Sequence, residues 1–195
     1  MRSSDEVKDV VSRLQVQFGN DTRTCELKKA VPEIDLVDTK FGPYEAGVKV
    51  QLPNWIINSL IQHGIGELTH ESAFETLIKV QNMESSERED SELHELPLWL
   101  YSALREKINR FQSDKSGLDP QIYRDAQKTQ KMLRNLTETR LSKILRIAKS
   151  GEYQRRLGML TAEEQWLCKQ MDLVISGWRR SVQAGPSEHS GLNRE

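Results

Sequence analysis

The stretch DPQIYRDAQKTQKMLRNLTETRLSKILRIAKS, residues 119–150, decides the fold predicted for this chain. Asp119 supplies a side-chain acceptor at the N-cap and Pro120 suits the first helical turn, so a helix is predicted to begin there. Apolar residues then follow one stripe at helical spacing: Ile122, Ala126, Leu133, Leu136, Ile144 and Ile147. A helix that runs to about Lys149, with a rise of about 1.5 Å per residue, makes a rod of about 45 Å, which is typical of a scaffold.

Arg140 lies inside this apolar stripe, between Leu136 and Ile144, when successive residues are rotated by about 100°. Removing a guanidinium from water costs several kcal/mol unless acceptors replace the water. We therefore expect Arg140 to be buried, to pair with a carboxylate or with several carbonyl oxygens, and to have an architectural role.

The opposite side of the same helix is predicted to be basic. It carries Arg124, Lys128, Lys131, Arg146 and Lys149. A solvated helix face is the ordinary interpretation of such a set, and contact with a phosphate backbone or an acidic partner is the functional alternative. No aromatic residues interleave with these charges as stacking platforms for single strands would require, so sequence-specific DNA recognition is not predicted.

Two more helices are predicted around this rod. Pro97 is expected to open one of them, PLWLYSALREKINRFQ, because proline fits the first helical turn. Thr161 and Glu164 form a capping box, T-x-x-E, at the start of the last helix, which Gly185-Pro186 is expected to end. The inner face of the last helix is expected to carry Trp166, Leu167, Met171, Val174, Trp178 and Val182.

Another helix is expected to begin at Glu71, with Phe74, Leu77 and Ile78 facing inward. It continues into ESSEREDSELHE (84–95), a charged stretch in which no apolar period is visible. A solvated helix end followed by a loop is the ordinary interpretation of this stretch, and an acidic docking segment is the functional alternative.

The N-terminal segment is predicted to be helical. Helical spacing relates Val7, Val10, Val11 and Leu14. The spacing predicts a short amphipathic helix, while the alternation of Leu14, Val16 and Phe18 leaves a strand as the alternative.

Residues 22–52 change character, because β-favouring residues there are punctuated by proline and glycine. They predict three or four short strands. Pro53 is expected to begin a short helix, and residues 65–69 are expected to be a linker. A module this small cannot bury much surface by itself, so it must pack against another part of the protein.

These elements predict a mainly α fold, α+β overall, in which a small β-rich domain precedes a helical bundle. The predicted boundaries are an N-terminal helical segment at 1–20, the small β-rich domain at 21–66, the helical domain at 67–184, and a disordered tail at 185–195.

Charge is distributed unevenly along the 195 residues, although the net charge is −1. Residues 1–96 hold 18 Asp and Glu against 10 Lys and Arg, whereas residues 97–195 hold 11 against 18. This polarity can orient partners. The two cysteines match no disulfide framework or metal site, and no stretch has the form of a signal peptide or a membrane span. A soluble protein in a reducing intracellular compartment is expected.

The sequence contains no motif that indicates catalysis. Nucleotide-binding loops, H-E-x-x-H, C-x-x-C and G-x-S-x-G are all missing from it. His63 and His70 flank a glycine break, so they do not form a metal-binding pair on one helix. Asp35 and Asp38 would point to opposite faces of a strand and could not converge on a substrate. No enzyme, cofactor or metal is therefore predicted.

Several stretches resemble the GINS family, in the family's order. FGPYEAGVKVQLPNWIINSLIQHGIGEL (41–68) is similar to the small β-rich domain of GINS subunits, with its G-P-[FY] turn, glycine, alternating apolar residues, proline and short helix. The helical GINS domain is resembled by ELPLWLYSALREKI (95–108), TRLSKILRIA (139–148), LTAEEQWL (160–167) and ISGWRRSV (175–182). Its marks are an Arg-x-x-Lys on a long helix, a capped Thr-x-x-Glu start and a closing Trp-Arg. The resemblance covers residues 25–182.

The resemblance implies structural roles, and no catalytic residue, for the positions that match. Those in the module are Gly42, Pro43, Tyr44 and Pro53. Those in the helical domain are Pro97, Trp99, Arg140, Lys143, Thr161, Glu164, Trp166 and Trp178.

The order of the domains resembles the GINS class that contains the second and third partner-of-Sld subunits and the archaeal protein that stands in for both. Brevity favours the archaeal form. The resemblance implies a non-catalytic subunit of a four-subunit particle that includes a second GINS subunit type. That particle associates with the MCM helicase ring and a RecJ-like protein during fork unwinding, near the chromosome in an archaeon or in the nucleus of a eukaryote. The alternatives are a nucleic-acid-binding adaptor that uses the basic face and an enzyme with an unfamiliar site.

Overall fold

A small β-rich module precedes a helical bundle in this computed structural model, which describes residues 2–36, 39–113 and 120–183. The predicted mainly α, α+β fold class is confirmed. The elements are α1 Arg2–Asn20, β1 Thr22–Leu27, β2 Ile34–Leu36, β3 Thr39–Phe41, β4 Lys49–Pro53, α2 Asn54–Gln62, β5 Gly66–Leu68, α3 Leu77–Glu89, α4 Leu100–Ser113, α5 Pro120–Ser150, α6 Tyr153–Arg156 and α7 Ala162–Gln183. None of the described helices is both long enough and apolar enough to cross a bilayer.

The module is an antiparallel sheet in the order β4–β1–β5, with β2 and β3 paired as a separate hairpin. Along β1, alternate residues turn inward, so that Cys25 and Leu27 are fully buried. They pack with Leu52 of β4 and with Ile57 and Leu60 of α2. Three or four strands were predicted within residues 22–52, and four are present, the last of which ends at Pro53. Helix α2 closes one face of the sheet.

The Gly42-Pro43-Tyr44 turn joins the hairpin to the rest of the module. Gly42 has φ of +87°, and a Cβ atom there would lie 2.7 Å from the carbonyl oxygen of Pro32, so the position suits glycine alone. Tyr44 exchanges two backbone hydrogen bonds of 2.9 Å with Val31. Its ring meets Phe41 edge-on at 5.1 Å between centroids. The turn is therefore held by contacts within the module.

Strand β5 overturns the prediction of a linker at residues 65–69. Gly66–Leu68 pairs with β1, and the sheet contacts continue to Thr69, whose N–H donates to the Thr24 carbonyl at 3.1 Å. The module therefore extends past the predicted boundary at residue 66. A three-residue strand is too short to show a periodic pattern in the sequence. Pro53 ends β4 and caps α2, so the helix begins one residue later than predicted.

Arg23 joins the module to the elements around it. Its guanidinium is buried between the rings of Phe18 and Phe74, each centroid 5.2 Å away. Its Nη1 donates to both carboxylate oxygens of Glu75 at 2.9 and 3.0 Å, and its Nε donates to Asn54. One side chain of β1 thus holds α1, α2 and the segment before α3, which is the packing that a small module requires.

Helix α1 confirms the helical alternative for the N-terminal segment and extends it to Asn20. Phe18 is fully buried and lies 6.2 Å from the ring of Trp99, while Val16 is exposed. Leu14, Val16 and Phe18 therefore do not form a strand. Trp99, one of the positions implied by the resemblance, links α1 to the start of α4.

Helix α3 begins six residues later than predicted, at Leu77 instead of Glu71. Thr76 caps it by accepting a hydrogen bond from the Lys79 N–H at 3.4 Å, a start signal that the apolar spacing did not reveal. The prediction that Ile78 faces inward is wrong, because its side chain is 74% exposed. Residues 84–89, predicted to be the end of a helix and a loop, belong to the helix.

Helices α5 and α7 run in the same direction. Arg140 pairs with Glu164, and the Cys168 Sγ lies 4.0 Å from the Ile144 carbonyl, so both contacts join residues 24 apart. By this offset, the last residue of α5, Ser150, is level with Val174. The final turns of α7 therefore extend past the end of α5.

This geometry corrects the inner face predicted for the last helix. Trp166, Leu167 and Met171 are half-buried. The exposed fractions are 70% for Val174, 64% for Trp178 and 64% for Val182. Trp178 and Val182 lie on the face that packs farther back along α7, but they are beyond the last residue of α5. The resemblance implied that Trp178 holds the helical domain together, and the exposure of its side chain contradicts this prediction.

The close contact of β5 with β1 generates a prediction. A Cβ atom at Gly66 would lie 2.8 Å from the buried Cys25 Sγ, so Gly66→Ala should destabilise the protein by about 1–3 kcal/mol through overpacking. Gly19 is the matched control, because a Cβ atom there meets nothing within 4 Å and alanine favours helix by about 1 kcal/mol. Urea unfolding of both variants measures the difference, and an unchanged midpoint for Gly66→Ala would contradict the packing described.

A buried charge network as the candidate functional site

Arg140 is fully buried at the centre of the helical bundle. Its Nε donates to Glu164 Oε1 at 2.6 Å and its Nη2 to Glu164 Oε2 at 2.7 Å, which makes the pair bidentate. Its Nη1 donates to Glu87 Oε2 at 2.8 Å. The arginine of α5 therefore joins α7 on one side and α3 on the other.

The remaining donors of Arg140 are also satisfied. Nη1 donates to the His94 carbonyl at 2.9 Å, and Nη2 donates to the Met159 carbonyl at 2.8 Å. A guanidinium has five N–H donors, and each one has an acceptor here. The prediction that Arg140 is buried and pairs with carboxylates and carbonyls is confirmed.

Lys143, nearly one turn farther along α5, completes the network from the same side. Its Nζ donates to Glu87 Oε1 at 2.6 Å, to the Glu87 carbonyl at 2.6 Å and to the Glu92 carbonyl at 2.7 Å. These contacts use all three ammonium donors. Arg140 and Lys143 bring two positive charges, and Glu87 and Glu164 bring two negative charges, so the buried cluster is balanced.

Glu164 has two roles, because it also belongs to the capping box of α7. Its Oε2 accepts the Thr161 N–H at 2.9 Å, and the Thr161 Oγ1 accepts the Glu164 N–H at 3.3 Å. The Tyr101 hydroxyl donates to Glu164 Oε1 at 2.6 Å. The predicted capping box is confirmed, and its carboxylate connects α4 and α5 to the start of α7.

The electrostatics of the cluster raise the pKa of both Arg140 and Tyr101, which keeps Arg140 charged and Tyr101 neutral. Burial alone would lower the pKa of Arg140, but hydrogen bonds to Glu164 and the charges of Glu164 and Glu87 raise it overall. Burial, with the charge of Glu164 as the next cause, holds the pKa of Tyr101 far above its usual range. A cluster whose donors are all occupied and whose charges are balanced is suited to holding helices together.

Glu87 is the essential residue that sequence reasoning missed. It lies in the charged stretch 84–95, for which a solvated helix end was the expectation, yet it is fully buried. The signal was present in the spacing, because Glu87 follows the fully buried Val80 by seven residues and so shares its helix face. A carboxylate at a core-facing position requires a cationic partner. Arg140, the cation predicted to lie inside an apolar stripe, was the candidate for that partner.

The basic side of α5 is exposed but interrupted. Arg146 uses its Nη2 to contact the Ser91 carbonyl at 2.5 Å, and Arg124 uses its Nε to contact the Pro120 carbonyl at 3.1 Å. The set has a gap in its middle, because Lys131 and Arg146 are about 22 Å apart along the helix. Glu138 is exposed on the same side of the helix within this gap. Lys128 and Lys149 are exposed as predicted, but the five residues do not form a continuous basic surface.

Other candidate residues lie apart from the network. Asp35 is exposed beside Lys40, at 4.0 Å, and Asp38 lies outside the described residues. His63 uses its Nδ1 to contact the Ser59 carbonyl at 2.8 Å. Over residues 2–36, 39–113 and 120–183, no three His, Cys, Asp or Glu side chains are grouped as a metal ion would require. The prediction that Pro97 opens a helix is wrong by three residues, because α4 begins at Leu100, whose N–H donates to the Pro97 carbonyl at 3.0 Å in the turn before the helix.

Comparison of the chain with protein-family models and with curated proteins found no match. The functional argument for this chain therefore depends on its own residues and geometry. The feature that this geometry offers is an architectural centre, not an open cleft with free donors.

Removal of Arg140 should be costly, because it leaves Glu87 and Glu164 buried without their main partner. We expect Arg140→Ala to lower the free energy of unfolding by about 3–5 kcal/mol. Arg134→Ala is the matched control on the same helix, since Arg134 is exposed, and it should stay within about 0.5 kcal/mol of the parent. Should Arg140→Ala not fold at all, Tyr101→Phe removes a single hydrogen bond to Glu164 and should cost about 1–3 kcal/mol in urea unfolding. Equal midpoints for parent and both network variants would contradict a stabilising role.

Glu163, next to the network, should make stability depend on pH. Its Oε1 accepts the Ser102 hydroxyl at 2.6 Å, its Oε2 is buried without a hydrogen bond, and burial raises the pKa of the carboxyl above 4.5. The folded state then holds this proton more tightly than the unfolded state, so stability falls as pH rises from about 4.5 through the folded-state pKa. Glu163→Gln should remove that fall, giving a higher Tm than the parent at pH 7 and a smaller difference at pH 4. A difference independent of pH would contradict it.

Proposed function

We propose that this chain is a non-catalytic structural subunit of a GINS-type DNA replication complex. Its partners would be a second GINS subunit type, in a hetero-oligomer of four chains, together with the MCM helicase and a RecJ-like protein. In this proposal the chain helps to couple the helicase to its partners during fork unwinding.

The observation that carries the proposal is the convergence of separate stretches that resemble the GINS helical domain. Arg140 and Lys143 come from one stretch, Thr161 and Glu164 from a second, and Tyr101 from a third. In the fold, these residues meet in one hydrogen-bonded network. Motifs that match only loosely in sequence support the resemblance more strongly when they lie at one site in the fold, because chance matches are not expected to be neighbours in space.

The order and dependence of the two parts also support the proposal. The β-rich module precedes the helical bundle, which is the order implied by the resemblance. The apolar residues at the end of α7 are exposed, and a subunit that is completed by partners would present such a surface. The basic side of α5 is interrupted, so it gives less support to the alternative of a nucleic-acid-binding adaptor. A weak DNA contact by the assembled complex is compatible with the proposed function.

Affinity purification of the tagged chain from its native cell tests the proposal. We expect the MCM helicase and a second GINS-like chain to be recovered with it, because their association is what the proposed function requires. A tagged Arg140→Ala chain serves as control, since loss of the buried network should remove both partners together. Recovery of neither partner with the wild-type chain would contradict the proposal.

Expression of the chain alone offers a check that needs no native cell. Exposed apolar residues on α7 should make the isolated chain self-associate or remain poorly soluble, and co-expression with the second subunit type should restore a defined complex. Light scattering measures both states. A stable monomer that gains nothing from co-expression would count against the hetero-oligomer.

A further inference from the structure

A cavity of about 180 Å³ lies between α4, α5 and α7, beside the buried charge network, and it opens to the surface. Its apolar wall consists of Leu141 and Ile144 from α5 and Leu167 from α7. A cavity of about 150 Å³ that is lined by such side chains holds benzene. This cavity is therefore large enough for a group the size of one aromatic ring.

Four polar side chains also line the cavity, and three of them have hydrogen-bond partners on all of their polar atoms. The Tyr101 hydroxyl donates to Glu164 at 2.6 Å, and the Thr137 hydroxyl donates to a carbonyl one turn back at 2.7 Å. Glu164 accepts further hydrogen bonds from the buried network and from its capping box. The fourth polar residue of the lining is Glu163, and it differs from the other three.

The carboxylate of Glu163 is buried without a cation. Its Oε1 accepts one hydrogen bond, from the Ser102 hydroxyl at 2.6 Å, whereas its Oε2 has no hydrogen-bond partner among the described residues. An ionised carboxylate can accept about four. The charged side chain that acts on it, Glu164, has the same sign, and burial is the main cause that raises the pKa of Glu163. A buried carboxylate in this state is stabilised by a cationic donor, which the cavity has room to admit.

We propose that this cavity binds a compact apolar group that ends in an ammonium. The apolar part would contact Leu141, Ile144 and Leu167, and the ammonium would pair with the Glu163 carboxylate. A free small amine and a lysine side chain of another protein chain both have this chemistry. The inference goes beyond the proposed function, because binding of an amine to the isolated chain requires no partner subunit.

The lining of the cavity disfavours other classes of ligand. An anionic group would lie beside two carboxylates, Glu163 and Glu164, and like charges in contact are unfavourable. A purely apolar group would fill the cavity but would leave the buried Glu163 oxygen without a hydrogen bond. An apolar ammonium satisfies both the wall and the carboxylate.

Binding of benzylamine, benzyl alcohol and phenylacetate to the full chain tests this inference, because the three probes share a ring and differ in charge. By NMR titration, we expect benzylamine to bind with a Kd at least about tenfold lower than benzyl alcohol, and phenylacetate to bind more weakly than both. Glu163→Gln should remove the preference for the amine, and it should fold because it removes an unpaired buried charge. Glu138→Gln is the matched control, since Glu138 is exposed on α5 outside the cavity lining.

Two leucine variants locate the site. Leu141→Phe places a larger side chain in the wall of the cavity and should weaken binding of benzylamine by about tenfold or more. Leu145→Phe is the matched control, because Leu145 lies one turn farther along α5, is 45% exposed and does not line the cavity. Circular dichroism and thermal unfolding show that both variants are folded. Equal loss in both variants, equal binding of amine and alcohol, or no binding of any probe would overturn the inference.

Native mass spectrometry of the chain purified from its native cell separates the two sources of the ammonium. A small amine that is retained by the parent and lost from Glu163→Gln would assign a free ligand. Loss of the second GINS-like chain from Glu163→Gln, with no small molecule on the parent, would assign a lysine side chain of that partner. Failure of all three probes, while MCM and a second GINS-like chain still co-purify, would refute the amine site alone. Benzylamine binding without those partners would refute the proposed function alone.

Discussion

The guanidinium of Arg140 is the interaction on which the helical bundle depends. A charge that is fully buried must recover from protein groups what it loses in water, and here five acceptors do so. Those acceptors come from α3, from the segment before α4, from the turn before α7 and from α7 itself. The network is complete only when all of these segments are in place, so it joins their positions to the burial of one charge.

A second buried arginine applies the same principle at the other end of the chain. Arg23 is held by Glu75, Asn54 and two aromatic rings, and it joins the small sheet to the elements that flank it. Lys107 of α4 adds a hydrogen bond of 2.8 Å to the Glu75 carbonyl. The β-rich module is too small to be stable by itself, and this joint ties it to the helical bundle. Each part of the protein is thus centred on one cation whose partners are distant in sequence.

The two networks leave the outer surfaces free for a different task. The donors of Arg140 and Lys143 are all occupied within the fold, and Arg23 is buried between two rings and Glu75, so these charges are not available to a ligand. Apolar and basic residues remain exposed near the end of α7, where this helix extends past the end of α5. Buried charges that are paired inside the fold, together with apolar residues exposed on its surface, are consistent with the proposed role as a subunit that binds other proteins.

The sequence by itself determined the elements with strong local signals. The 31-residue α5 was predictable because its apolar stripe is long, the start of α7 because its capping box is local, and the burial of Arg140 because its position follows from helical rotation. Tertiary structure decided what local pattern cannot contain. Strand β5 exists through pairing with β1, Glu87 is buried because α5 lies over it, and Trp178 is exposed because α5 ends before reaching it. Each of these three features depends on the position of a segment that is distant in sequence, and the periodicity within one helix or strand carries no information about that position.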